Sequence, residues 1–510
     1  MLFSSWLRNG RRSAPAARRR SQTSPRQPAS FRPRLEALED RRTPSTGYVQ
    51  TNLASYQPGL GRFTDPKLNG WGMTSLPNGT FVVANAFSNG TATSYTHSGN
   101  ERPLKITVPV EAAESAVLSL VTKQTISTQF GHPTGVVYNP TNNFVISENG
   151  NSAPATLIFD TLDGIICGWN PDVDATHAIV LYDSLADTGA PAVYTSLEIG
   201  QNVLYATDFY NDKLDIIGPQ QTNGTLTNIN PIDVSSYGVS NLLNPSVTTD
   251  PNSSVWSVSA VNNILVVTYA DLLAPLTGGV RGGGAVDVFN TDGKFLYQID
   301  SNDPTSNTAA DATGRLENPW GVTLAPANFG TYSNDLLVGN VWGPGHINAY
   351  KPDSNGNYTI YAGQLAQPDG MPIAIKGLWD MEFDDGPHLF FDAGPNQPGD
   401  GTGGLFGVIH AAGDQDGGDT VPSAAAPAQP VPQTLTGPQL QAVVQQALAG
   451  WPASYRGDEA GQAMDAFFRS SNATPASPES SPEMRDPQLS AFFSMFHADL
   501  DALETTTVKM

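Results

Sequence analysis

Residues 316–350, LENPWGVTLAPANFGTYSNDLLVGNVWGPGHINAY, lay out apolar and polar positions in a pattern that recurs along the chain. The turn Asn318-Pro319-Trp320-Gly321 leads into a short β-branched run at 322–324. A Pro/Asn/Gly loop follows, then an apolar run at 336–339, a second Gly/Pro turn, and an alternating run at 346–350. Each run is strand-length and each separator holds strand-breaking residues, so the segment predicts an antiparallel meander.

The same outline appears six times. A Trp, Gly or Ser marks the entry to each copy at Trp71, Gly135, Ser196, Trp256, Trp320 and Trp379, at intervals of 59 to 64 residues. Behind each marker an apolar run ends in a polar residue: 81–85, 144–149, 203–208, 264–271, 336–340 and 389–392. In several copies the third run ends near an aromatic, at Trp169, Phe289 and Tyr350. About four short strands per repeat and no 3.6-residue period describe a propeller blade. The expected fold is therefore all-β, a six-bladed β-propeller. The sixth copy supplies only three strands (378–383, 389–391, 405–409), while 47–57 reads as a strand without a blade. Pairing 48–54 beside 405–410 would close the ring and remove two open sheet edges.

The pattern changes at both ends. Residues 1–46 are Pro- and Ser-rich with few apolar positions, and 1–45 carry eleven Arg against three acidic groups, which predicts a disordered segment. The whole chain has net charge −22, so this +8 leaves −30 on the remaining 465 residues. An acidic body repels nucleic acid and suits divalent cations. After the propeller (47–412) comes a linker at 413–434 containing the Pro/Ala run VPSAAAPAQPVPQT, then a helical extension at 435–510. There Leu440, Val443, Val444, Ala447, Leu448 and Trp451, and then Leu489, Phe492, Phe493, Phe496, Leu500 and Leu503, fall at helical spacing. Two such apolar faces are expected to dock on each other, on the propeller or on a partner. No run is a transmembrane segment or a conventional signal peptide. The single Cys167 is expected to be a small buried core residue.

Two stretches carry resemblances. Arg34-Leu-Glu-Ala-Leu-Glu-Asp-Arg41 through Pro44-Ser45 resembles the short leader found before many exported planctomycete proteins. Gly47-Tyr-Val-Gln-Thr-Asn-Leu53, Asn69-Gly-Trp71-Gly72, Asp163-Gly-Ile-Ile-Cys-Gly-Trp-Asn-Pro171, Asn318-Pro-Trp-Gly321 with Leu324-Ala-Pro-Ala-Asn-Phe-Gly330, Leu336-Leu-Val-Gly-Asn340 and Gly377-Leu-Trp379 resemble an uncharacterised family of exported bacterial propeller proteins. Some of its members carry a PEP-CTERM sorting tail, which the ending Thr-Val-Lys-Met510 here lacks. The resemblance implies six blades and export to the periplasm, cell surface or medium, and brings no catalytic residues.

Candidate chemistry must come from the residues themselves. Asn85, Asn149, Asp208, Asp271, Asn340 and Asp392 recur once per copy and form a candidate ring of oxygens for Ca²⁺, which takes six to eight such ligands. Asp208 and Asp392 lead that set. The plainer reading is that Asn and Asp at strand ends hydrogen-bond their own turns. The marker tryptophans offer faces for a sugar, or more simply pack between neighbouring blades. His132 and His388 lie at turns able to face one end of the channel, as ligand-binding residues or a base beside a metal. No His-x-x-x-His or Cys/His spacing for zinc appears. The expected function is a non-catalytic binding or cell-surface module for a small molecule, glycan or surface protein. The alternative is a calcium-assisted hydrolase or lyase at the channel mouth.

Overall fold

Runs that are apolar at nearly every position need cover on both faces, and a ring of radial sheets supplies it. The computed structural model describes residues 47–413 apart from 87–89, 112–114, 116–129, 190, 201, 219–225, 227–253, 271–282, 302–314 and 395–402. The leader, the later part of the linker, the C-terminal helical segments and Asp271 lie outside the described residues.

From the axis outwards, blade 1 is Gly70–Ser75, Phe81–Asn85, Thr91–Tyr95 and Ile106–Thr107. Blade 2 is Pro133–Tyr138, Leu157–Thr161, Ile165–Trp169 and Ile179–Asp183. Blade 3 shows Tyr194–Ile199, Leu204–Asp208 and Lys213–Ile217 among the described residues. Blade 4 is Ser254–Val261, Ile264–Ala270, Ala285–Asn290 and Phe295–Ser301, and blade 5 is Pro319–Leu324, Leu336–Asn340, Ile347–Lys351 and Ile360–Gln364. Blade 6 is Leu378–Phe383, Leu389–Ala393 and Leu405–Ala411, with Tyr48–Ser55 outermost. Described helix is limited to short pieces such as Ser184–Thr188, and none is long and apolar enough to cross a membrane.

The second strands FVVAN, LIFDT, LYATD, LLVGN and LFFDA are buried at every position, the signature of strands covered on both sides. Apolar clusters fill all six wedges. Val82 meets Phe159 between blades 1 and 2, Ile158 meets Leu204 between 2 and 3, and Tyr205 meets Leu265 between 3 and 4. Val266 meets Val338 between 4 and 5, Leu337 meets Phe391 between 5 and 6, and Phe390 meets Phe81 between 6 and 1. Cys167 is buried in the first of these wedges, as its apolar surroundings predict.

The ring is shut by the N-terminal strand, antiparallel to Leu405–Ala411 with Tyr48 opposite Ala411 and Ser55 opposite Leu405. Tyr48 does more than pair. Its hydroxyl donates to Phe329 O (3.0 Å) and accepts from Tyr332 N (2.9 Å), both in blade 5. Tyr48→Phe leaves that buried carbonyl and that amide without this partner, so a loss of about 1–3 kcal/mol is expected in urea unfolding. A neutral result would mean that water replaces the hydroxyl.

One strand assignment needs correction. The run 144–149 is not the second strand of blade 2, because Val145–Glu148 pairs with Asn151–Pro154 as a separate hairpin. Val145–Glu148 is buried at one position in four, whereas Leu157–Thr161, which takes the blade position, is buried throughout. The sequence offered two apolar runs, and the more completely apolar one occupies the sheet.

Candidate functional site

Each inner strand pairs with its blade on one edge and faces the axis with the other. In all six blades the register slips near the strand's start, as at Gly70/Gly72, Tyr194/Leu197 and Pro319/Val322. Such a bulge re-aims a side chain, and here it turns one residue per blade to the axis. Those residues are Trp71, Thr134, Thr195, Trp256, Trp320 and Trp379. The entry markers of blades 2 and 3 are thus one residue earlier than Gly135 and Ser196.

The four tryptophans do not wedge between blades; they meet one another. Trp71 stacks on Trp379 at 4.1 Å, Trp256 lies 5.6 Å from Trp379, and Trp320 stands edge-on to Trp379 at 6.1 Å. Trp71 Nε1 reaches across to Thr195 O (3.0 Å). Six indoles would overfill one axis, and the two threonines leave room for four. All four are at most 4% exposed, so none offers a stacking face to a sugar. They plug the channel at the end where the inner strands begin.

Beyond the plug the next axial layer is small: Gly72, Gly135, Ser196, Ser257 and Gly321, with Asp380 as the exception. A Cβ at Gly135 would strike Leu197 N, and one at Gly321 would strike Trp379 O. The inner strands then diverge around a cavity of about 870 Å³. Its open edges are capped by side chains handed from each blade to the next. Thr74 Oγ1 accepts from Tyr138 N, Thr134 Oγ1 donates to Tyr194 O, and Thr195 Oγ1 donates to Trp256 O. Ser257 Oγ donates to Trp320 O.

At two joints the caps are carboxylates. Glu198 Oε2 of blade 3 accepts from Ala260 N of blade 4 (2.9 Å), and its Oε1 from Ile199 N (2.8 Å). From blade 6, Asp380 Oδ2 accepts from Met73 N (2.9 Å), and Glu382 takes Ser75 N (2.9 Å) and Ser75 Oγ (2.6 Å) of blade 1. These joints lie opposite each other in a six-membered ring, giving the cavity two acidic poles. Low-dielectric walls push Glu198 and Glu382 up to about 7 and Asp380 to about 6, and Asp380 raises both glutamates further. The poles therefore change charge near neutrality.

The mouth adds Asp384 and Asp385 to the lining, and His97. Asp384 Oδ2 sits 2.8 Å from His388 Nδ1 and 3.7 Å from His97 Nε2, and His97 stands edge-on to Phe81 and Phe390 at 5.3 Å. His132 is elsewhere. It is buried at the plugged end, with Nδ1 2.6 Å from Asp163 Oδ1, so the two candidate histidines occupy opposite ends of the channel.

The proposed oxygen ring is not brought together at one level. Asn85, Asp208 and Asn340 are equivalent and hold the loops entering their own blades, through Asn69 N, Val193 N and Glu317 N. Asp392 sits one register step away, opposite Phe406, with Oδ1 accepting from Asp380 N (2.8 Å). Its counterpart in blade 2 is Asp160, which accepts from Gly135 N (2.5 Å) and Thr134 Oγ1 (2.7 Å). Asn149 is exposed on the extra hairpin with φ 51°. Among the described residues no three His, Cys, Asp or Glu side chains gather closely enough to hold a metal ion. Glu198, Asp380 and Glu382 escaped the sequence reading because they lie one and three residues beyond the true axial positions. Aligning the copies on Thr134 and Thr195 would have exposed them.

No protein-family model matches the chain. Two uncharacterised proteins of Acanthamoeba polyphaga mimivirus are each 27% identical over 389 and 386 residues, covering 73% of this chain and 88% and 82% of their own lengths. Among solved structures the chain is similar to a luciferin-regenerating enzyme at 11% identity and TM-score 0.39, over 72% of this chain and 96% of that one. It is also similar to an α-L-arabinofuranosidase of Fusarium graminearum at 13% identity and TM-score 0.38, over 72% and 98%. At these values the chemistry of the channel has to be argued from its own residues.

Proposed function

We propose that this protein is a binding module whose ligand, a small organic cation, enters the acidic channel at its open end and stops at the tryptophan plug. One observation carries the reading: five carboxylates and no Lys or Arg line the described cavity. Such a lining concentrates positive ligands and excludes anions. An exported location, implied by the leader resemblance, belongs to the same proposal. Thermal-shift measurements with small ammonium ions and small carboxylates test it. Ammonium ions are expected to raise the melting temperature, carboxylates to leave it unchanged, and Thr323→Trp, which fills the cavity, to abolish the rise. Stabilisation by the carboxylates instead would sink the reading.

A second reading, a calcium-assisted hydrolase or lyase at the mouth, is favoured by the paired Asp384 and His388 beside the cavity. It requires calcium to raise the melting temperature and a chelator to lower it. If neither moves, that reading goes.

A further inference from the structure

The two acidic poles constrain the ligand beyond its charge. Glu198 and the Asp380–Glu382 pair each spend part of their acceptor capacity on backbone N–H groups of the next blade. An ionised carboxylate has about four acceptor positions, so each pole retains some for a donor in the cavity. The poles stand apart across the channel and so do not surround a single point, which is what a bare metal ion needs.

A second, independent feature lies at the floor. Of the four plug tryptophans only Trp320 contributes to the cavity lining. It is 4% exposed, and its indole Nε1 is buried with no hydrogen-bond partner among the described residues. A buried donor left in this state costs about 1–3 kcal/mol, which an acceptor brought by a ligand would recover. Ser259 and Thr323 add hydroxyls to the surrounding wall.

We infer that the channel takes a protonated amino alcohol of sugar size, a free hexosamine being the simplest member, with its ammonium at an acidic pole and a hydroxyl oxygen on the Trp320 indole N–H. This rests on the cation-binding reading above and narrows it. A neutral sugar leaves the poles without a counter-charge. An aliphatic diamine leaves the indole N–H without an acceptor. The cavity, at about 870 Å³, is of small-molecule size.

Titration calorimetry on the full chain with glucosamine, glucose and 1,4-diaminobutane tests the inference. Glucosamine is expected to bind at least tenfold more tightly than either of the others. Trp320→Phe keeps the ring and removes the donor, so it should weaken glucosamine about tenfold and leave diaminobutane unchanged. Glu198→Gln should weaken both about tenfold, and melting curves check that each variant is folded. If Glu198→Gln does not fold, Trp320→Phe carries the test alone. Glucose or diaminobutane equalling glucosamine overturns the inference but leaves cation binding standing. Failure of every ammonium ion to bind removes both.

Discussion

Trp379→Ala is expected to cost about 3–5 kcal/mol, read as a lower urea midpoint at unchanged slope. Trp379 touches every other indole of the plug, stacking on Trp71 and lying within 6.1 Å of Trp256 and Trp320. Its removal leaves a void that its neighbours cannot fill, because each is fixed to a different blade. The axial backbone cannot move inwards either, since Gly394 is already packed against the Trp379 ring. A loss below about 1 kcal/mol would mean that the six wedges alone hold the ring and that the plug contributes little.

Stability should fall as pH rises from about 5 to about 8, with a corresponding drop in melting temperature. Burial pushes Asp160, Asp287, Glu198 and Glu382 up to about 7 and Asp380 to about 6. The unfolded chain releases these protons near pH 4. The folded state therefore binds more protons than the unfolded state between about pH 4 and 7, and over that window each rise in pH favours unfolding. One unit of raised pKa corresponds to about 1.4 kcal/mol, so even a few of these groups give an effect of several kcal/mol. Asp287 isolates the cause. Its only hydrogen bond among the described residues is accepted from Gln298 Nε2 (2.9 Å), and Oδ2 is buried without a partner. Asp287→Asn keeps an acceptor for Gln298 and cannot ionise, so it should raise stability at pH 8 and flatten the profile, with little change at pH 5. A wild-type profile that climbs towards pH 8 would refute the argument.

The architecture was legible because blade geometry repeats and the apolar runs that fill it repeat with it. The missing fourth strand of the last copy could be matched to the orphan run near Tyr48 by counting alone. The axial layer was read one residue late in two blades because Trp was used as the marker, and Thr134 and Thr195 carry no such signal. The hairpin around Asn149 was mistaken for a blade strand because VIS and LIF look alike until burial separates them. The strand-end oxygens drew attention as a possible cation site, whereas Asn85, Asp208 and Asn340 are engaged in fixing the incoming loops. The acidic poles were hidden for a different reason. Glu198 and Glu382 are ordinary alternating residues in sequence, and only the joints they span place them on opposite sides of one cavity.

The hand-off of inner-strand side chains from blade to blade has one interruption. Among the described residues no inner-strand side chain of blade 5 reaches the inner strand of blade 6, where Gly321 faces Trp379 O. That seam is fastened at the rim instead, by Tyr48 on Phe329 and Tyr332 and by Tyr48 N on Ala366 O (2.8 Å). The fastener belongs to the first strand to leave the ribosome, and its seat to the last two blades. During translation the early strand has to wait, with its edge unpaired, until nearly the whole propeller has been made. Slowing release of the later blades would lengthen that vulnerable interval, so chaperone demand in the cell should track the pace of synthesis rather than the stability of the finished ring.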